Sequence, residues 1–212
     1  MSRESLTTGD LPFVQEALQA ESDAIGRLAQ HVVSKDAEQW TQAIELVAGC
    51  EGHVVVSGLG KSGLIGAKIS ATLSSLGRPS HLLHPTEAAH GDLGRLRRGD
   101  VVILLSYSGE TEEVVALASI LKADDVSTIG MSHGPESSLG RLCTVHLSIG
   151  EIVEACPLNL APTVSTTAML ALGDALALAA ARRLDFDADG FQARHPGGML
   201  GAGLRPITEV LR

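Results

Sequence analysis

Aromatic residues are scarce in this 212-residue chain: one Trp, one Tyr and three Phe make up 2% of it. A core must therefore be built from Ala, Leu, Val and Ile, within a hydrophobic share of 44% that is ordinary for a globular protein. Cysteine is nearly absent. Cys50, Cys143 and Cys156 show no metal-ligand spacing, and any pairing leaves one over. That points to a reducing, cytoplasmic compartment rather than a disulfide framework. Positive charge is in deficit, with a net charge of -9. This argues against a nucleic-acid partner, so any phosphate has to be held locally. The start, Met1-Ser2-Arg3-Glu4-Ser5, lacks an apolar signal core. The most apolar stretch, Met169 to Ala181, is broken by Gly173 and Asp174, so no membrane span is expected.

What is present is an alternation of periods. Residues from about Pro12 to Ser34 read as a helix, with Pro12 in its first turn and Asp10 as cap. A second helix, about Asp36 to Ala48, has Trp40, Ala43, Ile44 and Val47 on one face. Short apolar runs then mark five strands, at 53–57, 80–83, 101–105, 127–131 and 143–147. Helices at 62–76 and 112–121 lie between strands, and a nearly all-apolar helix follows at 166–182. The pattern predicts an α/β fold, a three-layer αβα sandwich around a five-stranded parallel sheet. Ligands of such sheets bind beyond the carboxyl ends of the strands, which selects segments 57–63, 84–94, 106–113 and 150–163.

Two of these segments suit an anion. Gly58-Leu59-Gly60-Lys61-Ser62-Gly63 follows a strand and opens a helix, where backbone N–H groups and the helix dipole favour negative charge. A nucleotide P-loop would need glycine where Val55 stands. The dinucleotide pattern matches by letter but lacks an acidic residue closing the next strand, which ends Leu82-Leu83-His84-Pro85. A plain tight turn with an exposed lysine competes equally well. After the third strand, Ser106-Tyr107-Ser108-Gly109-Glu110-Thr111 offers the hydroxyls of Ser106, Ser108 and Thr111, a helix start, and close approach at Gly109. Ordinary N-capping explains one such hydroxyl and not three.

The hydroxyl loop resembles the phosphate-binding signature of sugar isomerase (SIS) domains. Four further motifs narrow the resemblance: the glycine loop, His84 to Gly94, Glu154-Ala155-Cys156-Pro157-Leu158 with Leu160-Ala161-Pro162-Thr163, and His195-Pro196-Gly197-Gly198. Together, over about residues 10 to 205, they resemble D-arabinose 5-phosphate isomerases of the KdsD/KpsF/GutQ type. The resemblance implies an aldose–ketose isomerase that interconverts D-ribulose 5-phosphate and D-arabinose 5-phosphate through an enediol, feeding Kdo and lipopolysaccharide biosynthesis, with no cofactor. It implies Lys61, Glu113, Glu154 and His195 as catalytic residues, and Gly60, Ser62, His90, Ser106, Ser108, Gly109, Thr111 and Thr163 as substrate- or phosphate-binding residues. Proton transfer at carbon calls for a base, and burial raising a glutamate toward neutrality would suit Glu154 or Glu113, which the sequence does not rank. His195 can shuttle protons near neutral pH.

The resemblance also implies a homotetramer with sites at subunit interfaces, where His90 and His195 meet. It implies a single SIS domain over 1–212, with N-terminal helices at about 10–50 and the sheet core at about 51–205. The CBS pair of many family members is not in the sequence. The tail Leu204-Arg205-Pro206-Ile207-Thr208-Glu209 looks like the entry to it, in a naturally short or a truncated form. His84, Glu87, His90 and Asp92 are too loosely spaced for a required metal, with His90 at most an adventitious ligand. The rival readings are a non-catalytic sugar-phosphate sensor and an isomerase of another phosphosugar.

Overall fold

The structure, a computed structural model, describes residues 3–197. Five strands, β1 (Val54–Gly58), β2 (Ser80–Leu82), β3 (Val101–Leu105), β4 (Ser127–Ser132) and β5 (Val145–Ser148), form one parallel sheet. Its order is β2-β1-β3-β4-β5. The central strands β1 and β3 are buried on both faces because both are covered, while the edge strands β2 and β5 carry polar residues. Val54, Val56, Val101, Ile103 and Leu105 pack under α1 (Arg3–Ser34), α2 (Ala37–Ala48), α3 (Gly60–Ser75) and α7 (Val164–Arg183). Val55, Val102 and Leu104 pack under α4 (Pro85–Ala88), α5 (Glu112–Ala123) and α6 (Ser138–Leu142). The expected three-layer αβα architecture is the one observed.

The strand order decides where a ligand can sit. β1 has β2 on one side and β3 on the other. The chain leaves β1 in one direction and later crosses back to start β3 in the other. The loops following β1 and β3 therefore part at their carboxyl ends and leave a crevice. Register brings those ends level, with Gly58 opposite Leu105.

Several expectations are corrected. α1 begins at Arg3, so Asp10 caps nothing and Pro12 lies inside the helix. A single proline removes one backbone bond from an exposed 32-residue helix, which the remaining ladder survives. The fifth strand starts at Val145, because Ser137 caps the unexpected α6 and Cys143 ends it. Segment 84–94, expected as loop, holds α4 and a 3-10 turn at Asp92–Arg95. A final helix α8 (Ala188–Arg194) was also not expected. The apolar stretch Met169 to Ala181 lies within the longer α7, which by length and composition alone could cross a membrane, but 56% of its apolar window is buried inside the fold, as in a core helix. The expected tail at 204–209, and the end of the sheet core at 205, lie outside the described residues.

Candidate active site

The glycine loop turns β1 directly into α3. Gly60 has φ +58° with open space where a side chain would point, so conformation and not crowding selects glycine there. At Gly63 a Cβ would come within 2.7 Å of the Gly58 carbonyl oxygen, so the turn closes only without it. No side chain caps the start of α3, and Lys61 and Ser62 occupy its first turn beside the crevice.

The hydroxyl loop turns β3 into α5. The Ser106 and Thr111 hydroxyls bond each other at 2.8 Å, and Ser106 Oγ accepts from the Gly109 N–H at 3.1 Å. Ser108 Oγ accepts from the Glu110 N–H at 3.2 Å. Thr111 occupies the cap position of α5 but makes no side-chain capping bond. The ordinary N-cap explanation therefore fails, and the helix start stays open to an external anion. Gly109 is left-handed, φ +66°, and packs so closely that a Cβ would strike Ser137.

The third segment descends from β5. Glu154 Oε2 accepts from the Thr163 N–H at 2.8 Å, the Thr163 hydroxyl at 3.2 Å and the Ser165 N–H at 3.3 Å. One carboxylate oxygen thus closes the amino terminus of α7. The Glu154 N–H donates to Asn159 Oδ1 at 2.7 Å. Desolvation pushes the Glu154 carboxyl up, but the donors from Ser165 and Thr163 together outweigh it and hold it below the ordinary range. The expectation of a glutamate raised toward neutrality is corrected here: α7 supplies more stabilisation to the anion than burial removes. Thr163, expected to touch substrate, gives its amide and hydroxyl to Glu154.

Two hollows hold five of the expected site residues, Lys61, Ser62 and Glu154 in one and His90 and Glu113 in the other, while Gly60 lines a third beside His84. A cleft of about 510 Å³ on the α3/α7 face is lined by Lys61, Ser62, Tyr107, Glu151, Glu154 and Asn159, among others. A pocket of about 320 Å³ on the α4/α5 face is lined by His90 and Glu113 with Pro85, Ala89, Leu117 and Ile120. His195 lines neither. Its Nδ1 lies 2.8 Å from the Phe191 carbonyl oxygen and its ring stacks at 4.0 Å on Phe191, which itself lines a hollow along α3 and α7. Among the described residues, no three His, Cys, Asp or Glu side chains gather so as to hold a metal. Tyr107 and Asn159 were assigned no role from sequence. The signal available for Tyr107 was its place inside the hydroxyl loop as the chain's one tyrosine.

A larger cavity, about 760 Å³, lies at the opposite, amino end of the sheet. Glu45, Glu51, Asp124 and Asp125 line it, and α2 and α5 end there. Arg97 and Arg98 line it too, but carboxylates outnumber them and two helices point their carboxyl ends there, which disfavours a phosphate, so size misleads here.

Comparison with known proteins gives the family. The family model described as SIS domain matches residues 49–179. The chain belongs to the SIS-domain family. This SIS domain is 47% identical over 190 residues to arabinose 5-phosphate isomerase KdsD of Escherichia coli K12, and 45% identical over 190 residues to that of Pseudomonas aeruginosa PAO1. Each match covers 90% of the chain and 57% of the relative, so the chain spans little more than half the length of these relatives. The Escherichia coli CFT073 protein solved in complex with arabinose 5-phosphate superposes with TM-score 0.81 at 36% identity, covering 92% of this chain and 100% of that one.

Proposed function

We propose that this SIS domain interconverts D-ribulose 5-phosphate and D-arabinose 5-phosphate. The observation that carries the proposal is the position of Glu154: an ionised carboxylate, anchored through one oxygen, in the same cleft as Lys61 and beside the hydroxyl loop. The names of the KdsD relatives and the arabinose 5-phosphate bound to the similar structure supply the pentose phosphate.

The substrate phosphate lies in the hydroxyl loop against the open start of α5, which neutralises part of its charge. Lys61 holds the oxygens of carbons 1 and 2, where negative charge develops. Glu154 takes the proton from one of these carbons, exchanges it with solvent while the enediol persists, and delivers a proton to the other. The hydroxyl proton passes between the two oxygens through an acid that faces them, and the net change is one carbonyl shifted by one carbon. Because α7 keeps Glu154 ionised at neutral pH, the base needs no deprotonation before the reaction. Glu154 is favoured over Glu113 as the base because it shares the cleft with Lys61, whereas Glu113 lines the separate α4/α5 pocket.

The remaining residues enter from a second copy. His90, Glu113 and His195 stand away from the cleft within one chain, and α1 exposes Leu11, Val14 and Leu18 for assembly. A homotetramer whose interfaces bring these groups to the Lys61 cleft completes the acid–base set. We place the enzyme in the cytoplasm, feeding Kdo synthesis.

The test is incubation with D-ribulose 5-phosphate in deuterated water, with and without EDTA. Arabinose 5-phosphate carrying deuterium beside its carbonyl is the expected product in both. Tight binding with neither isomerisation nor exchange defeats the proposal in favour of a sensor.

A further inference from the structure

Tyr107 sits between the two serines of the hydroxyl loop, yet its side chain leaves that loop. The Ile152 N–H donates to the Tyr107 hydroxyl at 2.8 Å, and the hydroxyl lies 3.4 Å from the Ile152 carbonyl oxygen, to which it donates. One phenol thus closes on both backbone groups of a residue two positions before Glu154. Tyr107 is itself fixed, because its carbonyl accepts from the His133 N–H at 2.8 Å, at the end of β4. Burial pushes the phenol up from its ordinary range, which keeps the proton on it.

Segment 152–154 is therefore held from three directions. α7 takes the Glu154 carboxylate, Asn159 takes the Glu154 amide, and Tyr107 takes Ile152. Asn159 does so from a left-handed backbone, φ +52°, a conformation that asparagine adopts more readily than other non-glycine residues. Of the three restraints, Tyr107 alone belongs to the hydroxyl loop.

We infer that Tyr107 is a positioning residue that fastens the segment carrying Glu154 to the hydroxyl loop, so that the bound phosphate and the proton-accepting carboxylate share one rigid frame. The inference rests on the isomerase reading and adds a function to it. Binding energy gained at the phosphate, remote from the reacting carbons, is carried to the base as alignment. The hydroxyl loop then does more than hold the substrate.

Tyr107→Phe in the full chain removes the strut and leaves every hydroxyl of the loop's serines and threonine in place. We expect kcat to fall about 10- to 100-fold, the scale of a small misalignment of a reacting group, with KM changed less than about threefold. The acid limb of the kcat profile should move to higher pH. Loosening segment 152–154 lengthens the bonds from Thr163 and Ser165, and the Glu154 carboxyl rises toward its ordinary range. The other titratable groups lining that cleft are Lys61, Glu151 and Tyr107 itself, and only the last is altered. Asn159→Gly keeps the left-handed backbone but loses the acceptor, and should show the same pattern; Asn159→Asp keeps an acceptor and should recover most of kcat.

A readout independent of turnover separates this inference from the isomerase reading. Amide exchange at Ile152 and the carboxyl titration of Glu154, followed by NMR, should both change in Tyr107→Phe. If both stay as in the wild type, or if the variant keeps wild-type kcat, or if only KM rises, the coupling is wrong although the enzyme is an isomerase. If the wild type does not isomerise the pentose phosphate while both NMR changes appear, the strut stands and the reaction assignment falls.

Discussion

The two hollows on either face of the sheet's carboxyl edge hold the same residue types to different ends. In the α3/α7 cleft, which Lys61 also lines, the carboxylate of Glu154 is bound by three donors that hold its pKa below the ordinary range. In the α4/α5 pocket Glu113 and His90 stand among Pro85, Ala89, Leu117 and Ile120, with little polar surface to orient them. The donors behind the Glu154 carboxylate fix its direction, and among the described residues Glu113 has no such donors. The second hollow is suited to be covered, and its polar groups gain partners only when something is placed against them.

The sharpest way to break this contrast is Glu154→Gln, which keeps an acceptor for Thr163 and Ser165 but cannot take a proton. We expect kcat to fall by about 10² to 10⁴ in a steady-state assay, with the thermal midpoint nearly unchanged. Glu113→Gln should cost less, about tenfold, because it alters a helper. The reverse ranking would move the base to the α4/α5 pocket.

Gly109→Ala probes the cradle itself. A Cβ there meets Ser137 and the backbone is left-handed, so the variant should lose about 1–3 kcal/mol of stability in denaturant unfolding and raise KM. A smaller effect concerns His146, whose Nε2 lies 2.8 Å from the buried Ser132 hydroxyl behind that loop. Burial lowers its pKa from 6.5 to about 4. Below 6.5 the unfolded chain takes up a proton that the folded one refuses, so stability falls as pH drops from 6.5 toward about 4 and this contribution levels off below that. Melting curves of the wild type should show this slope, and His146→Gln should flatten it.

Much of the site was legible because its parts are local. A glycine required at Gly60 by a positive φ, and hydroxyls clustered where a strand meets a helix, leave marks in consecutive residues. α6 and α8 were not legible: each is held in a short segment by a single capping side chain, Ser137 or Asp187, with few apolar positions to count. The low pKa of Glu154 was invisible too, since its donors lie nine and eleven positions further on and meet it only through the start of α7.

By itself, the sequence determined the layer order, the parallel sheet and the two anion-suited loops, because periodicity and turn chemistry act over a few residues. Only the tertiary structure decided that both loops flank one crevice, that Glu154 is anchored and ionised, and that His90, Glu113 and His195 face elsewhere. Those outcomes depend on strand order and on which helix end meets which side chain, and such long-range contacts are set by packing the whole chain at once.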